Sequence, residues 1–374
     1  MIEQGKISNL QLSVIIIAYT IGTSIITVPT ITSTFSKQDG WLSSILSLGC
    51  GVLLVLLYGY MSERYPQITL TQLSEQILGK WIGGAVSILF FIFYLFITSI
   101  FVRISGDLIT THILPETPIQ AIEILFLFVI IMAVRLGLEP IARTTEMLFP
   151  HIFMLILFAI LFLLPHIKIV NLTPFLEFGM KPVLHGTFDI LGAPYLNLFV
   201  ILMITPFINK PKRVKLNFVL STIIGGIIII IITTLSIAVL SAPVTSRLNY
   251  SPYMLAQKID IGNFIQRIEI VAGAFIFITL YLKAVISFYA MVLSIAQTFR
   301  LKNYKILTLP LGMIVQVLST LQFSNIIDFH YFVRSYWTLI SAVMGLFFPL
   351  MLLSVDIAKS KLRKNKQNEV SKPL

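Results

Sequence analysis

The chain has 374 residues, of which 57% are hydrophobic and 11% are charged, whereas a typical soluble domain has roughly 25% charged residues. This composition excludes an ordinary water-soluble protein and makes the lipid bilayer the solvent for most of the chain. The formal net charge of +11 does not indicate nucleic-acid binding, because the basic residues lie in short loops between apolar runs. The single cysteine, Cys50, excludes an internal disulfide framework and a multi-cysteine metal site.

Ten apolar runs are long enough to cross a bilayer as helices, each of which needs roughly 20 mainly apolar residues. The residues before the first run lack the basic region and the cleavage site of a secretory signal, so we expect this run to be retained as a helix. In chain order the runs are approximately 10–33, 40–62, 82–111, 119–138, 148–167, 183–208, 217–242, 264–297, 306–323 and 329–357.

The loops between the runs predict the orientation, because cytoplasmic loops of membrane proteins are enriched in Lys and Arg. With the N-terminus inside, 18 basic residues fall in the inner loops and termini, five in the outer loops and four within the runs. This bias predicts that both termini are cytoplasmic. The runs and loops together predict one transmembrane domain, residues 1–358, and a basic cytoplasmic tail, residues 359–374. Attraction to membrane lipid headgroups is enough to explain the charge of this tail.

The first and sixth runs are each interrupted by residues that weaken a helix. The first contains Thr20-Ile21-Gly22-Thr23-Ser24 and then Pro29, and the sixth contains Leu191-Gly192-Ala193-Pro194-Tyr195 and then Pro206. Gly loosens a helix and Pro removes a backbone donor, so the freed backbone groups must face protein, water or a ligand rather than lipid. These runs begin the two five-helix halves, and matching interruptions are typical of inverted-repeat transporters with a site at the midplane.

The predicted fold is therefore an all-α integral membrane protein. It has about ten transmembrane helices in a 5+5 inverted repeat, with helices one and six broken as in the leucine transporter. The ends of the half-helices would offer free N–H groups and positive dipole ends to a carboxylate. We expect Thr20, Gly22 and Thr23 in helix one, and Leu191 and Gly192 in helix six, to line the ligand site.

Lys283 is the strongest functional candidate among the ionisable residues within the runs, which are costly in a membrane and often functional. It lies deep in the eighth run, and Ser287 follows one turn later on the same helix face. The ammonium group could replace a bound sodium ion, bind a ligand carboxylate or pair with backbone carbonyls. Ile97 and Thr98 lie deep in the third run and are also expected to line a midplane pocket.

Three further charged residues are candidates for an ion pair or a gate. Arg103 and Asp107 lie four residues apart in the third run, which allows an ion pair near its outer end. Asp189 begins the broken stretch of helix six and could gate an outer vestibule or cap a half-helix. We expect Glu123, in contrast, to be solvated, because it lies near the end of a run.

No motif in the chain predicts an enzyme. The five His residues lack metal-ligand spacing, and no glycine-rich phosphate-binding loop ends in Lys-Ser or Lys-Thr. We therefore predict no catalytic residue, metal or cofactor.

A series of short motifs resembles the spore germination permease family, the B subunits of nutrient germinant receptors, within the amino acid–polyamine–organocation superfamily. Each motif is weak alone, but together they follow in order from about Ile7 to Ala358. They are Ile7-Ser8-Asn9-Leu10-Gln11, Ile21-Gly22-Thr23-Ser24-Ile25 with Pro29, Asp39-Gly40-Trp41, Leu78-Gly79-Lys80-Trp81-Ile82-Gly83, Thr117-Pro118-Ile119-Gln120, Leu148-Phe149-Pro150, Leu191-Gly192, Ser241-Ala242-Pro243, Tyr289 and Gln297-Thr298-Phe299-Arg300-Leu301.

The resemblance implies a ten-helix inverted repeat that binds an amino acid or a similar small nutrient between helices one, three, six and eight. It implies a receptor in the spore inner membrane, formed with a larger membrane subunit and a lipoprotein subunit. Carried over by position, the pocket falls on Gly22, Ile97, Leu191, Lys283 and Ser287. Lys283 departs from the small polar residue of the alanine-responsive members, so the charge of the pocket differs.

The sequence leaves two main functions open. The first is a germinant-sensing subunit, in which ligand binding shifts a conformational equilibrium and signals to the partner subunits. The alternative is a proton-coupled secondary transporter of an amino acid or polyamine, because the same fold serves both functions. The sequence also does not exclude a third function, that of a passive water or ion channel.

Overall fold

The computed structural model describes residues 5–209, 211–259, 268–323 and 326–370, and most of this part of the chain is helical. The predicted start of the eighth run, including Arg267, and the end of the basic tail, residues 371–374, lie outside these ranges. The α-helices are α1 (Asn9–Ile21), α2 (Ser24–Phe35), α3 (Gly40–Arg64), α4 (Leu70–Leu78), α5 (Lys80–His112), α6 (Ile119–Leu136), α7 (Leu138–Leu163), α8 (Met180–Ile190), α9 (Val214–Leu240), α10 (Ala242–Thr245), α11 (Ser251–Ala256), α12 (Ile268–Thr298), α13 (Thr308–Leu321), α14 (Ile326–Phe332), α15 (Thr338–Ala342) and α16 (Phe348–Val370).

Nine helical stretches within the described residues are long and apolar enough to cross a membrane. The sixth run does not count among them because it is not one continuous helix. Helix α8 ends at Ile190, the chain turns through residues 191–195, and it continues as the 3-10 helix Leu196–Met203. The first run is broken at Gly22 and Thr23, between α1 and α2. The predicted all-helical fold with helices one and six broken is therefore confirmed.

The two halves pack through equivalent helices. Helix α3, the second crossing of the first half, packs along α9, the second crossing of the second half, and the third crossings α5 and α12 pack in the same way. The α1–α2 pair and α12 are almost wholly buried, whereas α7 exposes large apolar side chains such as Phe153 and Phe158. The broken first helix and the eighth crossing therefore form the centre of the molecule, and α7 faces the lipid.

Helix one begins with a capping box that is also anchored to the end of helix six. The Ser8 hydroxyl accepts from the Gln11 backbone N–H at 3.1 Å, and the Gln11 side chain accepts from the Ser8 backbone N–H at 2.9 Å. Just before the cap, the Ile7 N–H donates to the Phe207 carbonyl at 2.9 Å and the Asn209 N–H donates to the Ile7 carbonyl at 3.0 Å. The start of the first broken helix is thus tied to the end of the second.

The predicted start of the fifth crossing, near residue 148, is wrong. Helix α7 begins at Leu138, so its first turns include charged residues that the apolar pattern assigns to a loop. Arg143 pairs with Glu139 at 2.5 Å, four residues earlier on the same helix, and the Glu146 carboxylate accepts from the Gln11 amide at 2.9 Å. Because these charges are paired or exposed, the helix can begin before the apolar run does.

The last crossing is a single helical stretch with two wider turns. Between α14, α15 and α16 lie the π-helical turns Val333–Trp337 and Val343–Phe347. In the second of these turns, the Gly345 carbonyl accepts from the Tyr58 hydroxyl at 2.7 Å, and the same hydroxyl lies 3.1 Å from the Leu196 carbonyl in helix six. Helix α16 then continues to Val370, so residues predicted as a tail continue the last helix.

Candidate ligand site between the two helix breaks

The two helix breaks meet at Lys283 of α12. The Lys283 ammonium donates a hydrogen bond to the Thr23 hydroxyl at 3.1 Å, in the break of helix one. It donates a second to the Ala193 carbonyl at 2.9 Å, in the unwound stretch of helix six. One side chain therefore connects both places where the backbone leaves regular helical geometry.

The Lys283 side chain is completely buried. Its ammonium nitrogen lies 5.1 Å from the ring centroid of Tyr19 and 5.4 Å from that of Phe101, within the range of cation–π attraction. No carboxylate within the described ranges lies within 4.0 Å of this nitrogen. A buried cation is strongly disfavoured unless it is paired, and here neutral dipoles and aromatic rings take the place of a counter-ion.

Gly22 provides the space through which the Lys283 side chain passes. A Cβ atom added to Gly22 would lie 2.5 Å from Lys283 Cδ and 3.2 Å from Lys283 Cβ. Real Cβ contacts are essentially never shorter than 3.0 Å, so a side chain at this position would displace the lysine. The glycine of the first break thus allows the close approach of α12 to helix one.

A hydroxyl pair supports the lysine from the next turn of α12. Ser287 Oγ donates to the Lys283 carbonyl at 3.0 Å and lies 3.0 Å from the Tyr19 hydroxyl. Since the serine proton is used on the carbonyl, the Tyr19 hydroxyl is the donor to Ser287. This chain of bonds fixes the Tyr19 ring, which in turn lies beside the ammonium group.

Ile97 and Thr98 are fully buried in α5, one turn before Phe101. Ile97 shares its helix face with Phe101, four residues later, and so belongs to the face next to Lys283. Thr98 donates its hydroxyl to the Tyr94 carbonyl of its own helix at 2.6 Å. The Thr98 hydroxyl is therefore satisfied within its own helix, and a ligand contact for Ile97 remains a prediction.

Thr20 lies on a different side of helix one. Its hydroxyl donates to the Ile16 carbonyl at 2.8 Å, and its side chain packs against Gly225 of α9, where an added Cβ would lie 2.9 Å from Thr20 Cβ. Of the residues predicted in the first break, Gly22 and Thr23 contact Lys283, and Thr20 faces the seventh crossing instead.

The break in helix six is covered by the last crossing. A Cβ on Gly192 would lie 2.7 Å from Thr338 Oγ1, and the same hydroxyl donates to the Asp189 carbonyl at 2.6 Å. The Asp189 carboxylate lies 3.7 Å from His185 Nε2, one turn earlier on α8, while Leu191 is half-buried at the start of the turn. Gly192 and Asp189 thus connect helix six to the tenth crossing rather than to Lys283.

Arg103 and Asp107 form the ion pair that their spacing predicts. Arg103 Nε lies 3.3 Å from Asp107 Oδ2, and each side chain is 16% exposed. The pair lies on α5 beyond Phe101, towards the end of the helix that leads to His112. A gating role for the pair, or for Asp189, remains a prediction.

A family model described as spore germination protein matches residues 6–327 of the chain. The chain belongs to the spore germination protein family. Spore germination protein KB of Bacillus subtilis (strain 168) is 28% identical to it, over 99% of this chain and 100% of that protein. The family resemblance inferred from the ordered motifs is therefore confirmed.

Two solved structures have the same fold as this spore germination protein. MhsT in complex with L-phenylalanine aligns with a TM-score of 0.66 at 14% identity, over 95% of this chain and 99% of MhsT. Mhp1, a nucleobase-cation-symport-1 family transporter in a closed conformation with bromovinylhydantoin bound, aligns with a TM-score of 0.69 at 12% identity, over 93% of this chain and 78% of Mhp1. At these identities the likeness shows the fold, which is that of the leucine transporter.

Three residues around the Lys283 ammonium were not predicted from the sequence of this family member. Tyr19 and Phe101 supply the aromatic rings, and Ala193 supplies a carbonyl. Helix spacing could have indicated the Phe101 ring, because Phe101 follows Ile97 by four residues, but not the Tyr19 ring, because the break at Gly22 lies between Tyr19 and Thr23. No side-chain pattern could have singled out Ala193, because its contribution is a backbone carbonyl.

Proposed function

We propose that this chain is the germinant-sensing subunit of a spore nutrient receptor. It binds an amino acid or a similar small nutrient between the breaks of helices one and six. It signals to a larger membrane subunit and a lipoprotein subunit in the spore inner membrane. Membership of the spore germination protein family supports this reading, as does the bound amino acid named for MhsT, a protein of the same fold.

The observation that carries the proposal is the Lys283 ammonium, held between the two breaks with no carboxylate beside it in the described part of the chain. Charge-assisted hydrogen bonds are among the strongest in proteins, and a ligand carboxylate would give this cation the counter-ion that neutral groups replace. We therefore infer a ligand that carries a carboxylate. An amino acid meets this requirement.

The geometry also suggests how binding becomes a signal. Lys283 connects the Thr23 hydroxyl in helix one to the Ala193 carbonyl in helix six. The ammonium group has three donors and uses two of them here, so a ligand carboxylate can bind the third, and by drawing the ammonium group towards itself it weakens the bonds that join the two breaks. A ligand shifts such an equilibrium only through its different affinity for the two states, and the competition of the carboxylate with Thr23 and Ala193 for Lys283 supplies that difference.

The test is a germination dose–response curve for spores that carry Lys283→Met as their only copy of this protein. The substitution keeps the length of the side chain and removes its charge. We expect the nutrient concentration for half-maximal response to rise at least tenfold, about 1.4 kcal/mol, which is part of the roughly 1.5–3 kcal/mol of a charge-assisted hydrogen bond. Lys258→Met, at an exposed lysine, is the matched control and should leave the curve unchanged.

Immunoblots must show that each variant is present at the parental level. A Lys283→Met curve that overlays the parent at equal abundance would make Lys283 structural and remove the basis of the proposal. The subunit assignment has its own test, which is affinity purification of the tagged chain from spore membranes. Recovery of the chain alone, under mild detergent conditions that preserve other membrane complexes, would contradict the partner subunits.

A proton-coupled secondary transporter of an amino acid or polyamine is the second candidate. It is favoured by the fold, which this chain shares with the transporter Mhp1. Uptake of labelled amino acids into proteoliposomes that contain the purified chain distinguishes the two functions. Sustained accumulation that depends on a proton gradient would favour transport, and saturable binding without accumulation would favour sensing.

A further inference from the structure

Glu123 forms a buried acidic site away from the helix breaks. The expectation that it would be solvated is wrong, because its exposed fraction is 0%. It lies in α6 and passes Gly106 of α5, where an added Cβ would lie 3.0 Å from Glu123 Cγ. Neighbouring helices therefore cover the carboxyl group, even though it is near the end of its own helix.

One oxygen of the Glu123 carboxyl group receives donors from α13. Oε2 accepts from the Gln316 amide nitrogen at 2.8 Å and from the Ser319 hydroxyl at 2.9 Å. The Thr320 hydroxyl lies 3.5 Å from the same oxygen. The Ser319 and Thr320 hydroxyls also lie within hydrogen-bond distance of the Gln316 backbone carbonyl. Each hydroxyl has a single proton, so the Gln316 amide is the one dedicated donor among these three groups.

The other side of this pair lacks a donor. Glu123 Oε1 and Gln316 Oε1 are both buried, and neither has a hydrogen-bond partner among the described residues. Both atoms are acceptors if the carboxyl group is ionised, and a buried polar atom without a partner costs about 1–3 kcal/mol. An acid and a primary amide satisfy each other fully when the amide N–H bonds to one acid oxygen and the acid O–H bonds to the amide oxygen. A proton on Glu123 would supply the missing donor.

The charges around Glu123 do not replace that proton. Among the described residues, Arg103 and Asp107 of α5 are the charged groups that act on it. They form an ion pair with each other at 3.3 Å, so Arg103 already has a carboxylate partner in Asp107. The α13 side offers amide and hydroxyl groups, which carry no charge. An ionised Glu123 would therefore be a buried anion without its own cation, which is strongly disfavoured.

We propose that Glu123 is a proton-binding site that joins α6 to α13 when it is occupied. The neutral acid donates from Oε1 to the Gln316 amide oxygen and accepts the Gln316 amide N–H at Oε2. Loss of the proton leaves a buried anion that faces an amide oxygen, which weakens the contact between the two helices. The site is separate from Lys283, and the proposal does not depend on the function proposed above.

Infrared spectroscopy of the purified chain in lipid nanodiscs tests the proposal directly. We expect a carbonyl stretching band of a protonated carboxylic acid at neutral pH, which is lost in Glu123→Gln. Glu146→Gln is the matched control, because Glu146 also accepts from one glutamine amide, at 2.9 Å, but is partly exposed. That variant should keep the band.

A second variant tests the same Glu123–Gln316 hydrogen bond by changing Gln316. In Gln316→Leu the acid loses its amide donor, so the band should remain detectable and move to higher frequency, even if Glu123→Gln fails to fold. Absence of the band from the parent at neutral pH, or its persistence in Glu123→Gln, would overturn the proposal. Loss of the band on addition of sodium or potassium ions would also overturn it and would indicate a cation site.

The pH dependence of thermal stability gives an independent measurement. An acid that is protonated in the folded state and ionised in the unfolded state stabilises the fold less as the pH rises. The parent should therefore lose stability between mildly acidic and mildly alkaline pH. Glu123→Gln, an uncharged mimic of the protonated acid, should lose less over the same range. Equal slopes for the two proteins would contradict the proposal.

Discussion

The sharpest test of the central site is Gly22→Ala, because the new methyl group meets a side chain that is held at its far end. The added Cβ would lie 2.5 Å from Lys283 Cδ, and ordinary contact begins at 3.4 Å, so the lysine must retreat by about 0.9 Å, the difference between these values. If the ammonium group follows along its bond to the Ala193 carbonyl, their distance grows from 2.9 Å to about 3.8 Å. A contact of that length is no longer a hydrogen bond.

Overpacking of this kind costs about 1–3 kcal/mol, equivalent to a change of roughly 5- to 150-fold in an equilibrium constant. The expected result is a lower thermal stability of the purified chain and a response curve shifted within this range. Gly49→Ala is the control, because a Cβ on Gly49 would meet nothing within 4 Å.

A double-mutant cycle identifies Lys283 as the cause. In a Lys283→Ala background the atom at 2.5 Å is absent and the nearest remaining contact of the new methyl group with this residue is 3.2 Å, to its Cβ. Gly22→Ala should therefore have a much smaller effect there, and the effects in the two backgrounds should differ by 1 kcal/mol or more, within the roughly 0.5–3 kcal/mol typical of contacting residues. Equal effects in both backgrounds would refute the reasoning.

Two further predictions concern orientation and the second break. The loop charges predict that position 258 is external and position 213 is cytoplasmic. In a Cys50→Ala background, Lys258→Cys should therefore react with a membrane-impermeant thiol reagent added from outside, and Arg213→Cys should not. The opposite pattern would reverse the predicted topology. Gly192→Ala should lower the free energy of unfolding by about 1–3 kcal/mol, and with it the melting temperature. The reason is that the new Cβ would lie 2.7 Å from Thr338 Oγ1 and 3.0 Å from the Thr338 backbone. An unchanged melting temperature would mean that the last crossing moves aside.

The sequence predicted the fold well where backbone chemistry decides it. Gly22 and the stretch 191–195 interrupt their helices as expected, and the sixth run is indeed not a continuous helix. The cytoplasmic position of both termini, which the loop charges indicate, stays a prediction. The predicted start of α7 was wrong because the charged residues before the apolar run were interpreted as a loop. In the structure Arg143 pairs with Glu139 within the helix.

The site was harder to predict because it depends on which face each helix presents to its neighbours. Lys283 could be singled out as a cation deep in an apolar run, and the structure brings it to both breaks. Thr20 could not be separated from Thr23, although one faces α9 and the other faces α12. Glu123 was misjudged for a related reason, since its burial depends on α13, almost 200 residues further along the chain.

The second π turn of the last crossing, Val343–Phe347, has a consequence for changes in chain length. A π turn contains one residue more than the α-helical turn that it replaces, so its backbone releases a carbonyl from the regular pattern. Here the Gly345 carbonyl accepts from Tyr58, whose hydroxyl also reaches Leu196 in helix six. Deletion of one residue from this turn should restore a regular helix while both flanking segments keep the faces they now present. Such a shortened chain would still cross the membrane, but Tyr58 would lose its shorter hydrogen bond, and the last crossing would keep only its Thr338 contacts with the second helix break.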